Sequence, residues 1–97
     1  MRVDWHIRAE IELQDASQYY EERRPGLGAE FLAEINRTIE KIIAFPNAWP
    51  AITDQSRRIR THRFPYGLVY QLHSDRIVIL AVMHLHRKPG YWKGREE

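Results

Sequence analysis

The sequence predicts an α+β protein in which an N-terminal strand and a helical hairpin pack on a small, mostly antiparallel sheet. Two stretches with helical periodicity, joined by a Pro-Gly turn, fill residues 8–44, and three stretches with strand-like alternation fill residues 57–85. A chain of 97 residues, 43% hydrophobic and 29% charged, suffices for one ordinary globular domain, which we expect to span residues 1–97. The predicted order of elements is therefore β-α-α-β-β-β.

The chain begins with a predicted strand and a predicted amphipathic helix. Apolar and polar residues alternate over residues 3–7, and a helix is expected from about residue 8 to residue 23. A turn at residues 25–28 ends it, because proline lacks a donor and glycine tolerates the tight backbone. The apolar face of this helix is expected to consist of Ala9, Leu13, Ala16 and Tyr20.

The second predicted helix runs from about residue 28 to residue 44 and has a clear apolar stripe. Glu30 and Glu34 are expected on its solvent side, and Pro46 and Pro50 follow its end. Two helices joined by so short a turn form a hairpin whose apolar stripes need a common cover. The predicted stripe consists of Phe31, Ile35, Ile39 and Ile42, widened by Leu32 and Ile43.

The second half of the chain predicts three strands that supply this cover. Alternation predicts strands over residues 57–64 and 68–73, and a tight turn at residues 73–76 leads into a third strand over residues 77–85. That third strand is apolar on both faces, so we expect it to be the most buried strand of the sheet. Residues 91–95 form a tail after the Pro-Gly pair that ends this strand.

Charge is distributed unevenly along the chain. Residues 1–48 carry a balance of −3, whereas residues 55–95 hold nine Lys or Arg against one acid, although the net charge is only +2. A basic half of this kind suggests an acidic partner, although exposed strands also carry Arg for solubility and to protect sheet edges. The longest apolar run has seven residues and no signal peptide is evident, so we expect a cytoplasmic protein without a membrane partner.

Few motifs in the chain carry recognisable chemistry. The Gly26-x-Gly28 pair follows a helix rather than a strand and is expected to be a turn, not a nucleotide-binding loop. His84 and His86 would lie about 7 Å apart on one face of a strand, a spacing that can suit a metal. With no third ligand nearby and two basic neighbours, we expect neither a metal nor another cofactor.

One dense polar cluster lies near the end of the chain and allows two interpretations. It consists of His84, His86, Arg87, Lys88, Tyr91 and Trp92, and strand pairing would bring it opposite the arginines of residues 57–63. Histidine and tyrosine can exchange protons while arginine holds a phosphate, which are the requirements for metal-independent RNA cleavage through the 2′-hydroxyl. Alternatively, the two aromatic residues pack as a lid on the open face of the sheet, and the histidines lie at its solvent edge.

The order of several sequence features over about 85 residues resembles the RelE/ParE superfamily of bacterial type II toxins. The first-helix pattern, the second-helix stripe and the prolines after it all resemble the family. The most specific part is the basic strand at residues 57–60 with the Arg63–Tyr70 run, followed by residues 77–84 and by Arg87-x-Pro89-x-Tyr91-Trp92. The resemblance implies a growth-inhibiting toxin that a cognate antitoxin neutralises in a hetero-oligomer by covering the hairpin and sheet.

The superfamily divides by target, and the sequence favours the ParE-like branch, whose members inhibit DNA gyrase and have no known hydrolytic chemistry. Only three lysines occur, and a ribosome-binding member is expected to need a stronger positive field than +2. In the alternative, a RelE-like ribosome-dependent mRNA endoribonuclease, the catalytic candidates are His84, His86, Arg87 and Tyr91. The predicted target- or phosphate-binding residues are Arg58, Arg60, Arg63, Arg87, Tyr91 and Trp92. A third possibility is a member that binds an antitoxin but has lost its toxicity.

Overall fold

The computed structural model describes all 97 residues and has the predicted order of elements. The four strands lie in the order β1-β4-β3-β2, with β1 parallel to β4 and the other pairs antiparallel, so the predicted fold class is confirmed. Neither helix combines the length and the hydropathy that crossing a membrane requires. The elements are β1 (Arg2–Trp5), α1 (Ile7–Arg23), α2 (Leu27–Ala44), β2 (Arg57–Arg60), β3 (Tyr66–Leu72), β4 (Arg76–His84) and a 3₁₀ turn (Lys93–Arg95).

The first strand ends two residues earlier than the alternation predicted. His6 caps α1, because its Nδ1 accepts a hydrogen bond from the backbone N–H of Arg8 at 3.1 Å. Ile7 therefore begins the helix rather than ending the strand, and it is 63% exposed. An alternating pentapeptide cannot reveal that its fourth member is a helix cap.

The hairpin brings α1 and α2 into close contact where Gly28 meets α1. A Cβ on Gly28 would lie 2.7 Å from the backbone oxygen of Ser17, so only glycine permits this approach. Gly26, with a φ of 90°, makes the turn between the helices. Glu21 accepts hydrogen bonds from the backbone N–H groups of both glycines, which satisfies donors at the start of α2.

The buried stripe of α2 is confirmed at its centre, but its margins were predicted wrongly. Leu32 and Ile43 are 38% and 42% exposed, whereas Glu34 and Thr38 are buried. Glu34 is buried because the backbone N–H groups of His62 and Arg63 donate to its carboxylate, which joins α2 to the loop after β2. The prediction that Glu34 faces solvent was therefore wrong.

The larger hydrophobic core lies between the two helices and one face of the sheet, which we call the helix face. Tyr20, Phe31 and Phe64 form its aromatic centre, with ring centroids 4.8–5.3 Å apart. Its buried residues come from every helix and from three strands, and they are Ala9, Ala16, Phe31, Ile35, Ile42, Ile59, Phe64, Leu68, Tyr70, Ile77, Ile79 and Val82.

Two irregularities shape the sheet. The strand predicted over residues 57–64 ends at Arg60, because the Thr61 hydroxyl turns back to the carbonyls of Phe64 and Tyr66. In β4 the register shifts so that Leu80 has no partner in β3, which is a β-bulge. The interior of β4 is nevertheless buried on both faces, as predicted.

Candidate functional site

The second face of the sheet is covered by residues 91–97, which we call the C-terminal segment. Trp92 is only 3% exposed and packs in a cluster with Val69, Val78, Leu80, Ala81 and Met83, so the indole acts as a lid. This face is therefore not open, and the interpretation of the aromatic pair as a lid is the one the structure supports for Trp92. Because its ring is used in packing, Trp92 presents little surface to a partner.

Polar contacts tie the far end of the C-terminal segment to the sheet. The Glu96 carboxylate accepts hydrogen bonds from the hydroxyls of Thr53 and Ser56, each at 2.6 Å, and these bonds lower the pKa of Glu96. The carboxylate of Glu97 accepts from Arg76 at 2.8 Å. The segment thus crosses the second face and is fixed beyond it.

Glu12 of α1 joins Arg95 of the C-terminal segment to the edge of β4. Since β1 ends opposite Ile79, the edge of β4 has no neighbouring strand from the bulge onward. Glu12 accepts the backbone N–H of Val82 at 3.0 Å, and Arg95 donates to the carbonyl of Leu80 at 3.0 Å. Arg95 also forms two hydrogen bonds with Glu12, so this ion pair satisfies the groups that a fifth strand would otherwise bind.

The guanidinium groups of two arginines lie over the ring of Tyr91. The guanidinium of Arg87 stacks 3.6 Å from the ring centre of Tyr91, and that of Arg95 lies 5.1 Å away. The Tyr91 hydroxyl is buried without a hydrogen-bond partner, and burial, with the adjacent Glu12, raises the pKa of Tyr91 far above its ordinary value.

A cavity of about 260 Å³, which we call the Arg58 cavity, lies between β2, the end of β4 and the C-terminal segment. Arg58, Arg87 and Lys93 supply three positive charges around apolar side chains, and no acid lines the cavity. Neither Arg58 nor Lys93 takes part in an ion pair, and Arg87 contacts Glu12 only at 3.4 Å. The lining residues are Ile52, Arg58, Met83, Leu85, Arg87, Pro89, Gly90, Trp92 and Lys93.

The two histidines lie elsewhere. His84 is on the helix face, where its ring centroid lies 5.1 Å from that of Tyr66. Its side chain lines a shallow pocket together with residues of α1. His86 lies beyond the end of β4 with its ring centroid 5.3 Å from that of His84, so the expected pair at about 7 Å along one strand face was wrong. The His84 Nδ1 accepts the backbone N–H of His86, and no group of three or more potential metal ligands is present.

The structure thus brings together only some of the predicted site residues. Arg58, Arg87 and Trp92 share the Arg58 cavity, and Arg60 is exposed two residues along β2. Arg63 instead forms an ion pair with Glu30 beside α2, away from this cavity.

Glu12, Glu96 and Lys93 were not predicted to be site residues, because their roles depend on contacts between distant parts of the chain. Glu12 meets Arg95 across 83 positions, and Glu96 meets Ser56 across 40. The only signal available was the contrast between an acidic first half and a basic second half, which predicts attraction but no particular pair.

The fold matches a chain from the chromosomal ParDE TA (toxin–antitoxin) system of P. aeruginosa, with a TM-score of 0.77 and 17% identity over 89% of this chain and 97% of that one. The Y4kP protein of Sinorhizobium fredii, named as a candidate toxin, is 27% identical over 88 residues, which cover 90% of this chain and 91% of that protein. The family model for the ParE toxin of the type II toxin–antitoxin system parDE matches residues 3–89, and the chain belongs to this family.

Proposed function

We propose that this ParE-family toxin inhibits growth by binding DNA gyrase in the cytoplasm and stabilising a cleaved DNA complex. The proposed contact surface is the cation-rich end of the second face, formed by Arg58, Arg60 and Arg87. Tyr91 and Trp92 support it from beneath, since both are largely covered. The cavity among these cations has no acid in its lining, which suits an acidic surface of another macromolecule.

The observation that carries this proposal is the separation of Arg58 from His84, which lie on opposite faces of the sheet while Arg87 lines pockets with each. Arg58 lines the cavity on the second face, whereas His84 lies on the helix face beside Tyr66. The neutral, buried hydroxyl of Tyr91 is poorly suited to moving a proton to or from RNA. A binding toxin needs no such convergence of acid, base and phosphate-binding groups.

A cognate antitoxin is the second proposed partner, and the helical hairpin offers it an apolar surface. Several large apolar side chains are exposed on the two helices and just beyond the end of the second. They are Ile7, Ile11, Tyr19, Leu32, Ile43 and Phe45. An amphipathic or extended antitoxin segment would cover them and neutralise the toxin.

Purified toxin added in increasing amounts to DNA gyrase is the direct test. The proposal expects loss of supercoiling and accumulation of cleaved DNA, both reversed by prior addition of the antitoxin. Unchanged supercoiling and cleavage at large excess of folded toxin would contradict it.

The second candidate function, ribosome-dependent mRNA cleavage, is favoured by one feature. His84, His86 and Arg87 lie together at the end of β4, with the two imidazole rings in edge contact. Mapping of mRNA ends after induction distinguishes the candidates, because codon-phased cuts without DNA breaks would establish cleavage. Growth without arrest, in a host that lacks a neutralising antitoxin, would instead indicate a member that has lost its toxicity.

A further inference from the structure

We infer that the Arg58 cavity binds an acidic peptide segment of the target protein, anchored by one apolar side chain. This inference rests on the proposed function insofar as it takes the target to be a protein. It adds the chemistry of the contact, which is an apolar side chain in the cavity with carboxylates on either side.

The interior of the cavity favours a single apolar side chain. Ile52 and Leu85 are only partly buried and pack against the edge of the cluster around Trp92, so they leave apolar surface accessible from solvent. A volume of about 260 Å³ lies below the usual range of small-molecule pockets, roughly 300–1,000 Å³. Burying one more apolar group there would remove this surface from water, which is the usual role of an anchor residue.

The rim of the cavity favours carboxylates. Arg58 and Lys93 form no ion pair, although Lys93 lies near enough to Glu96 to interact with its charge. The contact of Arg87 with Glu12 is long, at 3.4 Å. Glu96 follows Lys93 by one turn and is held by the Thr53 and Ser56 hydroxyls, but none of the four acids in the second half lines the cavity. They are Asp54, Asp75, Glu96 and Glu97. A ligand must therefore supply the negative charge that this cluster of cations attracts.

Aromatic packing in this region favours a peptide over a nucleic acid. Single-stranded nucleic acids are held largely by bases stacked on exposed aromatic rings. Here the Trp92 indole is 3% exposed, and the guanidinium of Arg87 covers one side of the Tyr91 ring at 3.6 Å. The Trp92 ring therefore offers no free face to a base, and one face of the Tyr91 ring is already occupied.

The test is an NMR titration of the isotope-labelled toxin with an acetylated peptide that has a central phenylalanine between paired acidic residues. We expect saturable shifts at Leu85, Arg87 and the Trp92 indole N–H. A peptide with serine at the centre should bind about tenfold more weakly or worse, because the apolar contribution is lost. The toxin variants Arg58→Glu and Lys93→Glu should each weaken binding by about tenfold. The matched control Lys41→Glu, an exposed charge reversal on α2, should change it by less than about twofold.

Three results would overturn the inference. They are no saturable shift at millimolar peptide, equal binding of the serine peptide, and shifts at the same resonances caused by a short single-stranded oligonucleotide but not by the peptide. Both charge reversals are checked for native amide dispersion, and Lys93 is exposed, so a folding failure at Arg58 leaves the test intact. Gyrase is absent from this titration, so peptide binding without gyrase inhibition would contradict only the choice of target.

Discussion

The two faces of the sheet are built by different means. The helix face is covered by two long helices over a core of twelve buried residues, whereas the second face is covered by a short irregular segment over a cluster of six. The first cover is largely apolar, and the second depends on Trp92 and on hydrogen bonds made by Glu12, Glu96 and Glu97. The fold therefore depends mainly on the helix face, which leaves the second face free to carry binding groups.

The largest loss of stability is expected from a charge placed in the helix-face core. Ile35 is 1% exposed, so Ile35→Asp would bury an unpaired carboxylate and should cost more than about 4 kcal/mol, enough to prevent folding. Circular dichroism and thermal melting would show no cooperative transition. A cooperatively unfolding Ile35→Asp protein would show that the fold does not depend mainly on the helix-face core.

Truncating one large aromatic residue on each face compares the covers directly. Phe31→Ala should cost about 3–5 kcal/mol in free energy of unfolding, the usual range for a buried aromatic side chain. Trp92→Ala should cost less, about 1–3 kcal/mol, because the loss is limited by the free energy of releasing residues 91–97 locally. Urea unfolding monitored by circular dichroism measures both. Equal losses would show that the second cover is integral to the global fold.

Acidification should weaken the cover of the helix face through Glu34. Burial alone would raise the pKa of Glu34, but hydrogen bonds from Arg37 and from the backbone N–H groups of His62 and Arg63 together hold it below its ordinary value. A native pKa below the unfolded value of about 4.3 means that the stabilisation is present above that value and is lost as pH falls through the native pKa. Glu34→Gln should therefore lower stability near pH 7 by about 1–3 kcal/mol and flatten its decrease in acid.

The corresponding change on the second face is Glu96→Gln. The pKa of Glu96 is lowered by the Ser56 and Thr53 hydroxyls, so the same sign applies, and acid should loosen the C-terminal segment. In Glu96→Gln, amide hydrogen exchange at residues 93–97 should be fast already at neutral pH, with little change in global unfolding. Exchange that stays slow would show that Glu96 does not hold the segment.

The smallest expected effect on stability belongs to Arg87→Ala. The Arg87 side chain is 52% exposed and its contact with Glu12 is long, so its removal should change unfolding free energy by less than about 1 kcal/mol. Growth arrest after induction should nevertheless weaken, because the change removes a cation from the proposed contact surface. A variant as toxic as the parent protein would exclude Arg87 from that surface.

Much of the fold followed from sequence periodicity, because the apolar positions of α2 and of β3 and β4 repeat with the periods of their elements. Ile35 and Leu68 could be assigned to the core on this basis alone. Glu34 and Glu12 could not, since each is buried by partners from remote segments that no local pattern encodes. The β-bulge at Leu80 was likewise not predictable from alternation, because it is a property of strand pairing.

The candidate site was predictable in composition but not in arrangement. The sequence grouped the histidines, arginines and aromatic residues correctly along the chain, but their assignment to faces depended on where β4 ends and how the segment folds back. His84 and Met83 are adjacent in sequence and point to opposite faces, so proximity in sequence did not imply a shared site.

Growth arrest by matched charge reversals tests whether the cation-rich end of the second face carries the toxic activity. Arg58→Glu and Lys41→Glu change the net charge equally, on the second face and on α2 respectively. At equal levels of folded protein, we expect that Arg58→Glu abolishes growth arrest and that Lys41→Glu retains it. Full arrest by Arg58→Glu, or loss of arrest only in Lys41→Glu, would contradict it.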